Sequence, residues 1–321
     1  MQKLVELKQR IKTVSNIQSV TRTLSTVSAA KLSKTRHKAA AMRVYADKMR
    51  EIVLNQQRQM ERLGIAVESL SPLVAEKRVI RTVALVVISG DRGMCGSYNI
   101  GAARLARSFI EARGREGKQV LLIVKGRKGL RYLRNERDRV IHAEGWRREG
   151  VLDEDVERLL ELVGRVFVTQ KVDEVYAVYT RFYSPIKRQP SLVRLLPIRR
   201  EMWGSREEVG AVREGGATGS WTYEPSFRGL MEELVWTYLR LLIFDILIES
   251  YASEQGARMI TMEEATERAA KSLHEYRVMH NRLRREVITT DLIGVLFAAQ
   301  VLEETESQRE EVAEASRASR E

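Results

Sequence analysis

ARMITMEEATERAAKSLHEYRVMHNRLRREVITTDLIGVLFAAQV, residues 257–301, holds one glycine and no proline, and it repeats on a helical period. Met259, Met262, Thr266, Ala269, Leu273, Tyr276, His280, Leu283 and Val287 follow at alternating steps of three and four, and Thr290, Gly294, Phe297 and Val301 extend the series. Such a heptad lays one face of a helix against a partner helix, here over roughly 63 Å at 1.5 Å per residue. Its seam contains Thr, Ala, His and Gly where a free-standing coiled coil would carry Leu and Ile. It suits a shaft that fits inside something else. A partner lies at the other end of the chain, because residues 1–63 contain neither Gly nor Pro. Helices this long cannot wrap one small core. They are expected to pair as an antiparallel coiled coil, a rod with a globular body attached, which points to a mechanical rather than a catalytic role.

The N-terminal helix carries an apolar stripe at Leu4, Leu7, Ile11 and Val14. The apolar residues then move to Ile17, Val20, Leu24 and Val27, a stammer that predicts local overwinding of the pair. Small residues follow at Ser25, Ser28, Ala29 and Ala30. Residues 1–62 hold fourteen Lys and Arg against four Asp and Glu, whereas residues 225–321 hold twelve against eighteen. Part of the overall charge of +12 is therefore answered within the chain. The remainder favours an acidic protein partner or anionic headgroups.

Between the end helices the period changes. Thr82–Ser89 (TVALVVIS) is a continuous β-branched run, as expected of a strand buried on both faces. A glycine-rich turn, Gly90–Asn99, and a helix over about 100–113 follow. Gln119–Lys125 reads as a second buried strand followed by a charged helix, Asp153–Thr169 as a helix, and Val172–Tyr183 and Ser191–Ile198 as strands. This alternation predicts a Rossmann-like α/β domain with a parallel or mixed sheet. Residues 200–220 read as an exposed loop, and Pro225 sits where a long helix can begin. The expected domains are residues 1–63, 64–224 and 225–321, with a polar tail at the end of the last.

Composition narrows the function. The most apolar stretch, Leu239–Leu247, is interrupted by Arg240 and Asp245 and is far short of the roughly 20 apolar residues that span a bilayer. The N-terminus is charged and amphipathic and has no apolar signal region. A single cysteine, Cys95, excludes an internal disulfide and a cysteine-based metal cluster. The turn Gly90-Asp91-Arg92-Gly93-Met94-Cys95-Gly96 matches neither phosphate-binding spacing, G-x-G-x-x-G or G-x-x-x-x-G-K-[ST], and reads first as a tight strand-to-helix turn. Three of the four histidines lie in long-helix stretches, so Cys95 reads as a buried or simply reactive thiol and not a nucleophile with a histidine base. No paired carboxylates or zinc-type spacing stand out. No catalytic residue, cofactor or metal is expected.

Several motifs, in order along nearly the whole chain, resemble the γ subunit family of F-type ATP synthases. Leu7-Lys8-Gln9-Arg10-Ile11, Val20-Thr21-Arg22-Thr23-Leu24 and Ala29-Ala30-Lys31-Leu32 resemble its basic opening helix. Ser89-Gly90-Asp91-Arg92-Gly93-Met94-Cys95-Gly96-Ser97-Tyr98-Asn99 is close to its T/S-G-D-R-G-L-C-G-G-x-N motif, whose cysteine has been labelled as reactive in some members. Tyr223-Glu224-Pro225-Ser226 and Ala252-Ser253-Glu254-Gln255-Gly256-Ala257-Arg258-Met259 resemble two further family segments. The resemblance implies a central rotor shaft whose paired end helices turn inside an α3β3 hexamer. The implied partners are the α and β subunits, the ε subunit and the membrane c-ring. The implied location is peripheral, on the cytoplasmic face of the inner (plasma) membrane, with the ATP chemistry in the β subunits.

By the same resemblance, Arg284 and Arg285 are candidates for a polar contact to β, the second standing where the family usually has Gln. Leu292, Leu296, Phe297 and Val301 are candidates for the shaft tip, and Tyr223 and Glu224 for the foot. The closing signature and the Lys-Ala-Met of the opening helix are replaced, the latter by Arg22-Thr23-Leu24, and a hydrophilic tail runs from Glu303 to Glu321. This implies a divergent member with contacts matched to its own α and β chains. Two other readings remain open at this point: a basic coiled-coil nucleic-acid or scaffold protein using residues 1–62, and an α/β enzyme using Cys95.

Overall fold

A computed structural model describes residues 2–63, 71–77, 79–147, 150–169, 171–198 and 227–318. The chain divides into two compact units, Leu24–Met262 on the one hand and Met1–Thr23 with Glu263–Glu321 on the other. Two helices, α1 (Gln2–Leu63) and α5 (Phe227–Ala318), contribute to both.

In the larger unit, β1 (Thr82–Ile88), β2 (Gln119–Lys125), β3 (Val140–Glu144), β4 (Glu174–Phe182) and β5 (Arg188–Leu196) form one sheet in the order β3-β2-β1-β4-β5. β1 to β4 are parallel, and β5 closes one edge antiparallel to β4. The crossovers carry α2 (Tyr98–Arg115), α3 (Arg127–Tyr132) and α4 (Asp153–Val168). Strand alternation builds two cores. Val83, Leu85 and Val87 face Ala102, Ala106, Phe109 and Ile110 of α2. Ala84, Val86 and Ile88 face Leu159 and Val163 of α4 and Val235, Leu239 and Ile243 of α5. A central strand covered on both sides has no polar face, which is why TVALVVI carries none. Each Val, Leu or Ile so covered contributes about 1.5–3 kcal/mol.

β3 was not legible in the sequence. Its five residues, VIHAE, alternate between half-buried and exposed at one edge of the sheet, so they lack the apolar run that marks β1. The last strand begins at Arg188, three residues before the expected start, because it pairs along the full length of β4. The expected loop at 200–220 and Pro225 lie outside the described residues.

The end helices pair antiparallel. Within the larger unit, the Ser25 hydroxyl donates to the Met259 carbonyl (3.2 Å), and Lys38 Nζ lies 5.3 Å from the Phe244 ring centre. Within the smaller unit, the Thr266 hydroxyl donates to that of Thr21 (2.7 Å), and Arg10 is bonded to Tyr276. The seam of α1 corrects the expected stammer. Leu7, Thr21, Ser28, Leu32 and Thr35 are buried, Ile11, Val14, Gln18 and Ser25 half-buried, while Ile17, Val20 and Val27 are exposed. The three-four spacing thus continues unbroken through hydroxyl and small residues. Thr21 and Thr35 can occupy it because each hydroxyl donates to a carbonyl one turn back, at Ile17 (3.0 Å) and Lys31 (2.7 Å).

Candidate interaction site

The turn after β1 is built by its own side chains. Gly90 N–H donates to Asn99 Oδ1 (2.8 Å), and Asn99 Nδ2 donates to the Arg92 carbonyl (3.2 Å) and to Cys95 Sγ (3.1 Å). Asp91 accepts the backbone N–H of Arg127 on Oδ1 (2.8 Å) and of Trp146 on Oδ2 (3.0 Å), tying the turn to the ends of β2 and β3. Gly90 is required by a close approach, since a Cβ there would lie 2.7 Å from the Glu254 carboxyl. Met94, exposed, holds a positive φ of 59°. The turn is therefore the strained strand-to-helix connection that its sequence suggests.

Cys95 is buried against Tyr98 and Ala257. Burial, and secondarily the nearby Glu254 carboxylate, push its thiol up to about 11. A thiol so placed is largely unionised at neutral pH and a poor nucleophile. Glu254 is itself buried. Loss of water raises its pKa, and the Arg258 guanidinium at 2.6 Å opposes that shift. These groups lock α5 onto the turn.

The second candidate region is the far part of α5. Arg284 and Arg285 are exposed, and Arg285 Nε returns a long hydrogen bond (3.4 Å) to the Asn281 carbonyl. The heptad is buried at Ala269 and Leu273, half-buried at Tyr276, His280, Leu283 and Val287, and exposed beyond that point. Leu292, Leu296, Phe297 and Val301 are all exposed, with Leu296 and Phe297 at 67% and 65%. Ile293, Val295 and Leu302 are exposed beside them, so apolar residues point out all round the helix. Exposed apolar surface on this scale marks an interaction site. Tyr223 and Glu224 lie outside the described residues.

Sequence reasoning missed two ionic groups in the larger unit, one buried and one half-buried. Lys125 Nζ, at the end of β2, contacts Asp155 Oδ1 (2.7 Å) and Glu144 Oε1 (2.8 Å). Glu249 faces Tyr179, Arg181 and Arg43, with Asp245 one turn away, and its Oε2 is shielded from solvent without a hydrogen-bond partner. A lysine ending an apolar strand was the one available signal for the first group. The second had none.

Residues 3–302 match the family described as ATP synthase. Among curated relatives, the ATP synthase gamma chain of Geobacter sp. (strain M21) is 34% identical over 304 residues, covering 94% of this chain and 99% of that one. The ATP synthase gamma chain of Moorella thermoacetica is 33% identical over 300 residues, covering 92% and 98%. Two solved structures share the fold. A chain of the Euglena gracilis mitochondrial ATP synthase OSCP/F1/c-ring assembly in rotational state 3 superposes with a TM-score of 0.61 at 16% identity, covering 94% of each chain. A chain of the rotor of that enzyme in rotational state 1 gives 0.58 at 18% identity, covering 89% of this chain and 99% of that one. Long paired end helices, a five-stranded mixed sheet and relatives matched along almost their entire length lead to one assignment: this chain belongs to the ATP synthase gamma chain family, whose members are non-catalytic subunits of the enzyme complex.

Proposed function

We propose that this chain is the central rotor subunit of an F-type ATP synthase, coupling ion flow through a membrane c-ring to ATP synthesis or hydrolysis in an α3β3 hexamer. The observation that carries the reading is the apolar surface of α5 from residue 288 to 302, exposed among the described residues. A helix with apolar side chains on every side needs a surrounding sleeve rather than a single partner face. Residues 1–63 and 225–321 supply the coiled coil and residues 64–224 the α/β domain. Leu292, Leu296, Phe297 and Val301 turn in the apolar bearing of the hexamer. Arg284 and Arg285 meet carboxylates or polar groups of β, and exposed Ile17 and Val20 add further contacts from α1. Tyr223 and Glu224 stand at the foot, near the c-ring and the ε subunit.

Torque transmission needs asymmetry, not chemistry. A coiled coil whose two helices differ in length and charge presents unlike faces to three β subunits, and each orientation favours a different state of their nucleotide sites. The reading places the chain peripherally on the cytoplasmic face of the membrane. Among the described residues, no helix is long and apolar enough to cross a membrane. The basic N-terminal helix finds its place in the rotor reading, so the nucleic-acid alternative gains no support from it.

The test is reconstitution with the host's own α and β chains. Arg284→Ala plus Arg285→Ala is expected to lower ATP-driven pumping while the isolated chain keeps its melting temperature. Unchanged pumping in that double variant would remove both arginines from the contact.

A further inference from the structure

We propose that the helical layer on the face of the sheet remote from α4 and α5 binds a bilayer carrying anionic phospholipids. The layer consists of α2, α3 and the 3-10 segment Arg134–Arg139. Leu105 of α2, Leu130 and Tyr132 of α3, and Leu133 beyond it pack into one core with Val83, Leu85 and Val87 of β1. Arg107 of α2 also donates to the Tyr132 carbonyl, so these elements present one outer surface. Residues 98–139 hold twelve Lys and Arg against four Asp and Glu, a surplus of eight in a chain whose total is +12.

Most of that surplus lies on the outside. Arg104, Arg107, Arg115, Arg131, Arg134 and Arg137 are all exposed, and none has an ion-pair partner among the described residues. Glu116 is taken up by Arg113 (2.8 Å) and Lys118 (2.7 Å), and Glu136 by Arg139 (2.9 Å). Within the layer, Glu111 and Asp138 remain to offset six arginines. The other basic element, α1, lies along the acidic α5, whereas this layer packs on the sheet.

The chemistry of the surface selects the partner. The core of a protein interface is poor in charge and rich in aromatic anchors, yet Ile100, at 42%, is the one exposed large apolar side chain of the layer. Its aromatic residues, Tyr98, Phe109 and Tyr132, are buried or half-buried and so offer no platform for the bases of a single strand. What remains is a spread of guanidinium groups, each able to pair with phosphate oxygens. A leaflet of anionic headgroups supplies phosphates at any spacing and attracts such clusters through a field that fades within a Debye length.

Co-sedimentation of the full-length chain with phosphatidylcholine vesicles, with and without phosphatidylglycerol, tests the proposal. Binding is expected to the anionic vesicles alone and to weaken as salt is added. Arg104→Gln, Arg131→Gln and Arg134→Gln together should weaken it about tenfold or more while the melting temperature holds, since all three side chains are exposed. Lys3→Gln, Lys8→Gln and Lys12→Gln remove the same charge from exposed positions of α1 and should leave most of the binding intact. Four results would overturn the proposal: no binding to anionic vesicles, equal binding to phosphatidylcholine alone, full binding by the arginine variant, or an equal loss in the lysine variant. A DNA duplex bound as tightly as the anionic vesicles, at equal phosphate concentration, would also overturn it and make the layer a nucleic-acid surface.

Discussion

The hydroxyl of Thr266 donates to that of Thr21 across the antiparallel helix pair at 2.7 Å, while Thr21 donates to the carbonyl of Ile17 at 3.0 Å. The two threonines form a directional chain at a buried position where Leu would be the stronger packing residue. Removing either partner loses the hydroxyl–hydroxyl link, while Thr21 keeps its bond to the Ile17 carbonyl when Thr266 is changed. Thr21→Val and Thr266→Val should each destabilise the pair by about 0.5–1.5 kcal/mol. The double variant should cost less than the sum, and a double-mutant cycle by thermal unfolding reads the difference. Strict additivity would mean that the hydroxyls do not interact in solution.

Gly164 of α4 lies under the indole of Trp236. A Cβ at 164 would stand 2.4 Å from ring atom Cη2. In an exposed helix, Gly→Ala would gain up to about 1 kcal/mol from propensity. Here the ring must move, at a cost of about 1–3 kcal/mol. Gly164→Ala should therefore lower the melting temperature and change the tryptophan near-ultraviolet signal. Adding Trp236→Leu should recover the loss. A stabilised single variant would contradict the close contact.

Burial, and then the neighbouring Asp245, raise the Glu249 carboxyl from 4.5 to about 7, against opposing contributions from Arg181, Arg43 and Tyr179. Between those values the native state keeps a proton that the unfolded chain has released. The unfolded state binds fewer protons there, so stability falls as pH rises from about 4.5 to 7 and levels off above. Glu249→Gln keeps a group able to bond Tyr179 without titrating. Its melting temperature should exceed the parent's above pH 7, and the slope across the window should diminish. Melting curves from pH 4.5 to 8 decide this, and identical slopes would place the titration elsewhere.

At Cys95 the thiol rises from an ordinary 9.0 to about 11 through burial and Glu254. At pH 8 that makes the thiolate fraction roughly a hundredfold smaller than for a free thiol. Alkylation by iodoacetamide should be slower than this in the native chain, since access is also restricted, and should accelerate in denaturant. Native labelling as fast as denatured labelling would show that the turn opens readily. Cys95→Ser should leave the fold intact, although Asn99 would then donate to a hydroxyl instead of a sulfur.

What the sequence disclosed followed from how local the signal was. TVALVVI could be read as a doubly covered strand because each of its residues reports its own burial. The end helices could be read because they lack breakers over 63 residues at the start and recur in heptads at the end. The seam of α1 was misread where apolarity and register disagreed. Ile17 and Val20 looked inward by composition, but the helix keeps its period and turns Gln18 and Thr21 inward instead. Half-buried Glu249 was hidden, because a carboxylate one turn after Asp245 reads as an ordinary solvated helix face.

Leu296 and Phe297 belong to a helix stretch with no covering partner among the described residues, and both are largely exposed. Replacing both with Ser removes little packing from the isolated protein, so its stability should change by no more than about 0.5 kcal/mol each. Aggregation should diminish, because exposed apolar patches drive self-association. Assembly should respond in the opposite sense. If the stretch turns inside an apolar sleeve, the variant loses buried area at about 25 cal/mol per Å², and recovery of an assembled α3β3γ complex should fall severalfold. Gel filtration of the reconstituted mixture, beside melting curves of the chain alone, separates the two effects. Normal assembly together with an unchanged melting temperature would deny these side chains the bearing role and move the contact to Arg284 and Arg285 or to α1.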